Sequence, residues 1–360
     1  MNAQRWSQVM LVSLSLTALA MGPRARAQEA VGLAAKPASA RPARPLLWSV
    51  PPERQIRLLI DSDAACESDD QAVIAHALLS SSFVVRGLVA AHFRGVGPSA
   101  GRSTAEAMQA SYDEILTLLR VMRLEGCFPV RHGAAKPFAD PAVPVDSEGA
   151  DLIIKEAMTS GDPRPLFIMC QAHVTDLATA YVKEPRIADR LTAVWIGGAA
   201  YPAGGPEYNQ DGDRIAANIV MESRIPLWQI PAPVYMLPRF SMTEIAEKVG
   251  QQGELGRFLY GRVVRFVSGF KWINEFFQYA DEAAVGVLLQ QPMWNGDFEM
   301  RPAPSIAPNG TYVHNGKNRP IRVYRSYDHR AGLEDLFAKL KAFAKGELRP
   351  NCGDKPTPQK

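Results

Sequence analysis

The sequence predicts an α/β fold, an open, mostly parallel, Rossmann-like sheet flanked by helices. Three observations lead there. Apolar runs of strand length recur at residues 58–60, 84–91, 165–170, 191–196, 225–230 and 319–324. Between them lie stretches with apolar residues at helical spacing, and strands that alternate with helices build parallel sheets. With the two ends set aside, about 300 residues remain, a length that one large domain fills.

The ends come first. Residues 1–27 read as a secretory signal: Arg5 supplies the positive charge, residues 9–21 are apolar, and Ala25-Arg26-Ala27 is a small-residue cleavage pattern that predicts a mature start at Gln28. The apolar run is short for a membrane span, and no cysteine marks the cleavage site for a lipid anchor. The expectation is a secreted or periplasmic protein with no stable membrane insertion. Residues 28–55, rich in Ala, Pro and Arg, read as a linker. Residues 56–345 form the domain, and residues 346–360 a polar tail expected to fray.

Within the domain, the first strand runs into an acidic loop and a helix over 71–79. The strand over 84–91 ends at His92-Phe93-Arg94-Gly95. Ala107, Tyr112, Ile115, Leu116, Leu119 and Met122 space a helix over 103–125. Further helices are expected over 151–160, from Thr175, after Asp213, over 242–249 and 255–268, from Asp281, and over 333–343. Gly197-Gly198-Ala199 follows the strand over 191–196, and glycines there let the backbone approach a ligand. Phe266, Phe270, Trp272, Phe276, Phe277 and Tyr279 form an aromatic group that suits a core better than a base-stacking site.

Composition excludes some functions. A net charge of +3 with no basic run gives no footprint for nucleic acid. Cys66, Cys127, Cys170 and Cys352 form no C-x-x-C pair, so zinc is not indicated. A disulfide suits an exported chain, with its pairing open. Cys66 and Cys170 fall near strand ends, where a site would lie.

The chemistry concentrates after the first strand. Asp61, Asp63, Glu67, Asp69 and Asp70 fall within ten residues, separated by the small Ser62, Ala64, Ala65, Cys66 and Ser68. Asp69 and Asp70 suit a helix N-terminus, where the dipole favours acids. That leaves Asp61 and Asp63, directly after an apolar strand, unexplained. Buried charges are paired or bind metal, and ligands bind open α/β sheets at the carboxyl ends of strands. The loop therefore reads as a cation site with an active site built on it.

Asp61-Ser62-Asp63 followed by Asp69-Asp70 resembles the N-terminal aspartate motif of the inosine/uridine-preferring nucleoside hydrolases, in a longer form that suggests a divergent branch. Pro206-Glu207-Tyr208-Asn209 resembles that family's Glu-Phe-Asn motif, and Asp281 matches the Asp of its His-Asp pair. The resemblance runs in order over most of residues 57–345. It implies a nucleoside hydrolase-like α/β fold and hydrolysis of ribonucleosides to ribose and free base, as in purine and pyrimidine salvage. It implies calcium held by Asp63, Asp70, Asp281 and the Gln171 carbonyl, with substrate hydroxyls and water completing the shell. Asp63 would be the general base. Asp69, Glu207, Asn209 and His92 would contact the sugar.

Three positions depart from the family pattern. His92 stands where Asn is usual, Asp176 where Asn follows Thr175, and Ala280 where the family's leaving-group His would be. His92, His173 and Tyr279 remain as candidate acids. Two other readings stay open: a hydrolase of another ribose-like glycoside, and a calcium-dependent sugar- or nucleoside-binding protein without turnover. Retention of Asp63 argues against the second. The partner is a small molecule in each case, and homo-oligomerisation stays open.

Overall fold

The computed structural model describes residues 48–271, 273–290, 297–350 and 352. The expected signal segment, most of the linker and Trp272 lie outside the described residues. The strands in chain order are β1 (Ile56–Ser62), β2 (Phe83–Ala90), β3 (Val130–His132), β4 (Leu166–Cys170), β5 (Leu191–Ile196), β6 (Leu227–Ile230), β7 (Arg239–Ser241), β8 (Phe276–Gln278), β9 (Phe298–Pro302), β10 (Ser305–Ile306), β11 (Tyr312–Val313) and β12 (Pro320–Tyr324).

Eight of them form one sheet in the order β3-β2-β1-β4-β5-β6-β12-β9. Every pairing in it is parallel except β12 with β9. Chain order reverses between β1 and β4, so a crevice opens there beyond the strand ends. Asp61 lies opposite Cys170 in that pairing.

Burial follows the pleat. Leu58 and Ile60 point into one core with Met169, Val194 and Ile196, while Leu59 points into the other with Ile168, Cys170 and Trp195. Adjacent residues of one strand thus serve opposite faces, as the two-residue period requires. Helices cover both faces, which is why the strands are apolar throughout rather than alternating.

Several expectations are corrected. The helix over 103–125 is observed as Thr104–Val121; Arg123 has φ 59°, a left-handed conformation that helices do not continue through. The helix over 242–249 is four α-helical residues, Met242–Ile245, followed by a wider π turn, Ala246–Gly250. The tail does not fray throughout, because Cys352 is buried and bonded to Cys127. The end of the linker is also tied down: Val50 N–H donates to Ser81 Oγ, and Gln55 Nε2 to Ser81 O. Phe266, Phe277 and Tyr279 are core residues, and Phe276 is exposed. No helix among the described residues is long and apolar enough to cross a membrane.

Candidate active site

β1 carries its apolar run straight into acid. Asp61, at the end of β1, is fully buried, and neither carboxylate oxygen has a hydrogen-bond partner among the described residues. Burial, then the nearby Asp176, raises its pKa well above the usual range. Past Asp63 the chain turns tightly, with Cys66 N–H donating to Asp63 O at 2.7 Å. Asp69 precedes the helix Asp70–Leu78 as its N-cap position, with no side-chain cap bond. Ser62 Oγ donates to Asp70 Oδ1 at 2.6 Å and so fixes that carboxylate against β1.

Asp281 arrives from the far end of the chain. Its N–H donates to Asp69 Oδ2 at 3.1 Å, a contact between residues 212 apart. Asp69, Asp70 and Asp281 are all buried and offer carboxylate oxygens within 4.8 Å of one another. Asp63, buried beside them, is within electrostatic reach, since Asp70, Glu67 and Asp69 all raise its pKa after burial itself. Burial first, then Asp70, Asp69 and Asp63, does the same to Asp281. Burial chiefly, with Asp69, pushes Asp70 up to about 7. Four buried acids crowded together, with no Lys or Arg among the hydrogen-bond partners shown for them, are a donor set for a hard divalent cation.

The tight trio therefore contains Asp69 where the sequence expectation has Asp63. The Asp281 N–H ties Asp69 directly to the third member of that trio. Gln171 also contributes differently than expected. Its side-chain Nε2 donates to Asp281 Oδ2 at 3.1 Å, and its carbonyl accepts from Asn209 Nδ2 at 3.2 Å, leaving one lone pair of that oxygen.

Asn209 donates from Nδ2 to Ile196 O as well, at 2.9 Å, so only its amide oxygen is left for a ligand. Glu207 is the largest departure from expectation. Oε2 accepts from Gly198 N–H at 2.6 Å and Gln210 N–H at 2.8 Å; Oε1 accepts from Asn209 N–H at 3.0 Å and Tyr235 O–H at 2.6 Å. A carboxylate has about four acceptor positions, and protein donors fill them. Glu207 caps the short helix Tyr208–Gly212 and aims Asn209, so a sugar hydroxyl would have to displace one of its donors.

His92 is buried with neither ring nitrogen partnered among the described residues. It meets His173 edge to face at 5.2 Å between centroids. Burial lowers its pKa to about 4; burial, with His92 nearby, lowers that of His173 to about 3. Both are neutral imidazoles at pH 7, able to donate or accept a hydrogen bond but not to serve as strong acids. Tyr279 is fully buried, and burial followed by Asp69 pushes its pKa well up. Beside the loop, a cavity of about 260 Å³ is lined by Cys66, Glu67, Gln71, Arg102, Arg262 and Phe266, among others.

The sequence reading missed the roles of Ser62, Tyr235 and Gly198. A serine between two acids was a readable signal. Tyr235 and Gly198 were not, because their partner Glu207 is set by the fold.

An α/β sheet with an acid cluster at its switch point is the architecture of a metal-assisted hydrolase. The sequence model of the inosine-uridine preferring nucleoside hydrolases matches residues 58–333, and the chain belongs to this family of N-ribohydrolases. A search of curated protein sequences found no match. Solved structures share the fold. A purine-preferring ribonucleoside hydrolase from Gardnerella vaginalis superposes with a TM-score of 0.64 at 17% identity, covering 80% of this chain and 99% of that one. A plant nucleoside hydrolase gives 0.61 at 18%, covering 81% and 100%. The inosine-uridine preferring nucleoside hydrolase of Bacillus anthracis gives 0.54 at 16%, covering 80% and 99%.

Proposed function

We propose that this protein hydrolyses the N-glycosidic bond of a ribonucleoside with the help of one divalent cation. The observation that carries the reading is the meeting of Asp281 with Asp69 and Asp70 at the end of β1. The residues fit such an ion: Asp63, Asp70, Asp281 and the remaining lone pair of the Gln171 carbonyl would hold it, with Asp69 beside them. An all-oxygen, carboxylate-rich set favours calcium over the stricter octahedron of magnesium. When bound, the cation supplies positive charge that grips a sugar diol and acidifies water.

The protein's own groups do the rest. Asp63, pressed by neighbouring acids, takes a proton from the attacking water. Asp69 and the Asn209 amide oxygen hold sugar hydroxyls, and those contacts strengthen as the ring gains oxocarbenium character. Glu207 holds Asn209 and the glycine turn in place. His92 offers a neutral hydrogen-bonding group to the substrate. Ala280 has no proton to give, and His92, His173 and Tyr279 are poor acids at pH 7. The departing group thus leaves with little help, and catalysis rests on the sugar side of the bond.

We also propose that the protein works outside the cytoplasm. The Ala25-Arg26-Ala27 pattern and the Cys127–Cys352 disulfide both suit an oxidising compartment.

Release of reducing sugar from a nucleoside panel, with and without chelator, tests the reading. Turnover that vanishes on chelation and returns with calcium supports it. Binding of ribose with no turnover on any nucleoside, or on a ribose-like glycoside, leaves a sugar-binding protein instead.

A further inference from the structure

At the other end of the helix that begins with Asp70 lies a second group of ionisable side chains. His76 is fully buried. Its Nδ1 lies 3.0 Å from both oxygens of Glu282, which is fully buried too. Its Nε2 lies 2.8 Å from Asp335 Oδ2. Lys339 bridges Asp335 and Ser80 Oγ, the latter at 2.8 Å. Two cations thus meet two carboxylates. Burial and Lys339, whose Nζ stands 3.4 Å from Nε2, lower the His76 pKa, and the two carboxylates more than offset them, so that it lies above the usual imidazole value.

Glu282 directly follows Asp281, and His76 shares a helix with Asp70. Asp281 and Glu282 open the helix Glu282–Leu289, where neighbouring side chains point about 100° apart. One faces the acid cluster, and the other faces His76. Asp281 has no side-chain cap bond of its own. Gln171 Nε2 holds its carboxylate from one side at 3.1 Å, and the helix start that carries it is held by its N–H on Asp69 and by Glu282 on His76. Gly332 lets the helix His329–Ala344 close over the pair, since a Cβ there would stand 3.0 Å from Glu282 Oε1. Acids that repel one another would otherwise drive Asp281 away from Asp69 and Asp70.

We propose that the His76–Glu282 pair is a positioning lock that holds Asp281 against Asp69 and Asp70, so that the cation site is assembled before the cation arrives. This rests on the cation reading above. Neither residue touches substrate; both act through the orientation of Asp281. Partners that orient ligands in this way change metal affinity roughly 10- to 100-fold when removed.

The test is calcium binding to the full mature protein by calorimetry, with terbium luminescence as a second readout and the melting temperature of the metal-free protein as control. The double variant His76→Leu/Glu282→Leu replaces the charged pair by an apolar one. The lock predicts calcium binding weaker by roughly 10- to 100-fold in a protein that still melts near wild type. Arg86→Ala breaks the remote Arg86–Glu156 pair and should lower stability without changing affinity. If the double variant does not fold, Glu282→Gln, of the same shape, should show the same direction of effect. Affinity equal to wild type in the double variant, or in Glu282→Gln where only that variant folds, overturns the lock alone. A wild-type protein that binds neither ion overturns the cation reading and the lock with it.

Discussion

Two sets of ionisable groups flank one short helix, and they are built on opposite rules. At its start, Asp63, Asp69, Asp70 and Asp281 are all negative when ionised, with Asp69 Oδ1 unpartnered among the described residues. Beyond its middle, His76, Glu282, Asp335 and Lys339 are matched charge for charge. Burial alone does not separate them: His76 and Glu282 are as deeply buried as the acids, while Asp335 and Lys339 reach partly into solvent. A matched set is complete as it stands, whereas an unmatched one is stable as a set of carboxylates only with a cation from outside. That contrast, more than any single residue, marks one end of the helix for chemistry and the other for support.

The sharpest way to break the contrast is to alter one member of each set. Asp63→Asn should lower kcat by about 10²–10⁴-fold, the usual range for a lost general base, with little loss of stability, because it removes repulsion. His76→Leu should act first on stability. It leaves Glu282 buried and unpaired, which destabilises by about 3–5 kcal/mol, read as a lower denaturation midpoint. Equal loss of stability in both variants would erase the distinction.

The next effect is on pH. Acids of the cluster have folded pKa values above their unfolded ones, with Asp70 at about 7. Such groups bind more protons folded than unfolded, so their stabilising contribution is present at low pH and lost as pH rises through the folded value. The chelated protein should therefore lose stability between about pH 4 and 7, and saturating calcium should remove that loss. Thermal melts across this range, with chelator and with calcium, decide it. His92, lowered to about 4, acts in the opposite sense over about pH 4–6.5, where only the unfolded chain takes the proton. His92→Asn should flatten that acid-side loss.

A smaller effect concerns the departing group. With Ala280 in place of an acid and neutral imidazoles in the cleft, 4-nitrophenyl β-riboside should be cleaved faster than inosine by one or two orders of magnitude, part of what a positioned acid usually contributes. Comparable kcat/KM for the two would point to a further acid in the cleft.

The fold was legible because it is written in local patterns. Residues 191–196, read as a strand from their apolar run, are observed as β5. The edge strand β9 was not, since Phe298–Pro302 is only partly buried and has no apolar run. The acid loop was legible because five carboxylates after a buried strand need a reason to be there. What they touch was less so. Glu207 reads as a sugar ligand by motif and is a cap by geometry, because Gly198 and Tyr235 reach it from other loops. His76 reads as one more residue of an apolar helix, and only the fold shows Glu282, 206 residues on, against it. Long-range pairing of polar groups leaves no periodic trace in a sequence.

The Cys127–Cys352 bond closes a covalent ring between residues 225 apart in the chain. Nearly all the sheet beyond β2, and Asp281 with it, lies inside that ring, while Asp63, Asp69 and Asp70 lie outside it. A single protease nick within the ring would leave every piece tethered, and the two fragments would separate on a gel only after a reductant is added. Newly made chain cannot close the ring until residue 352 has emerged.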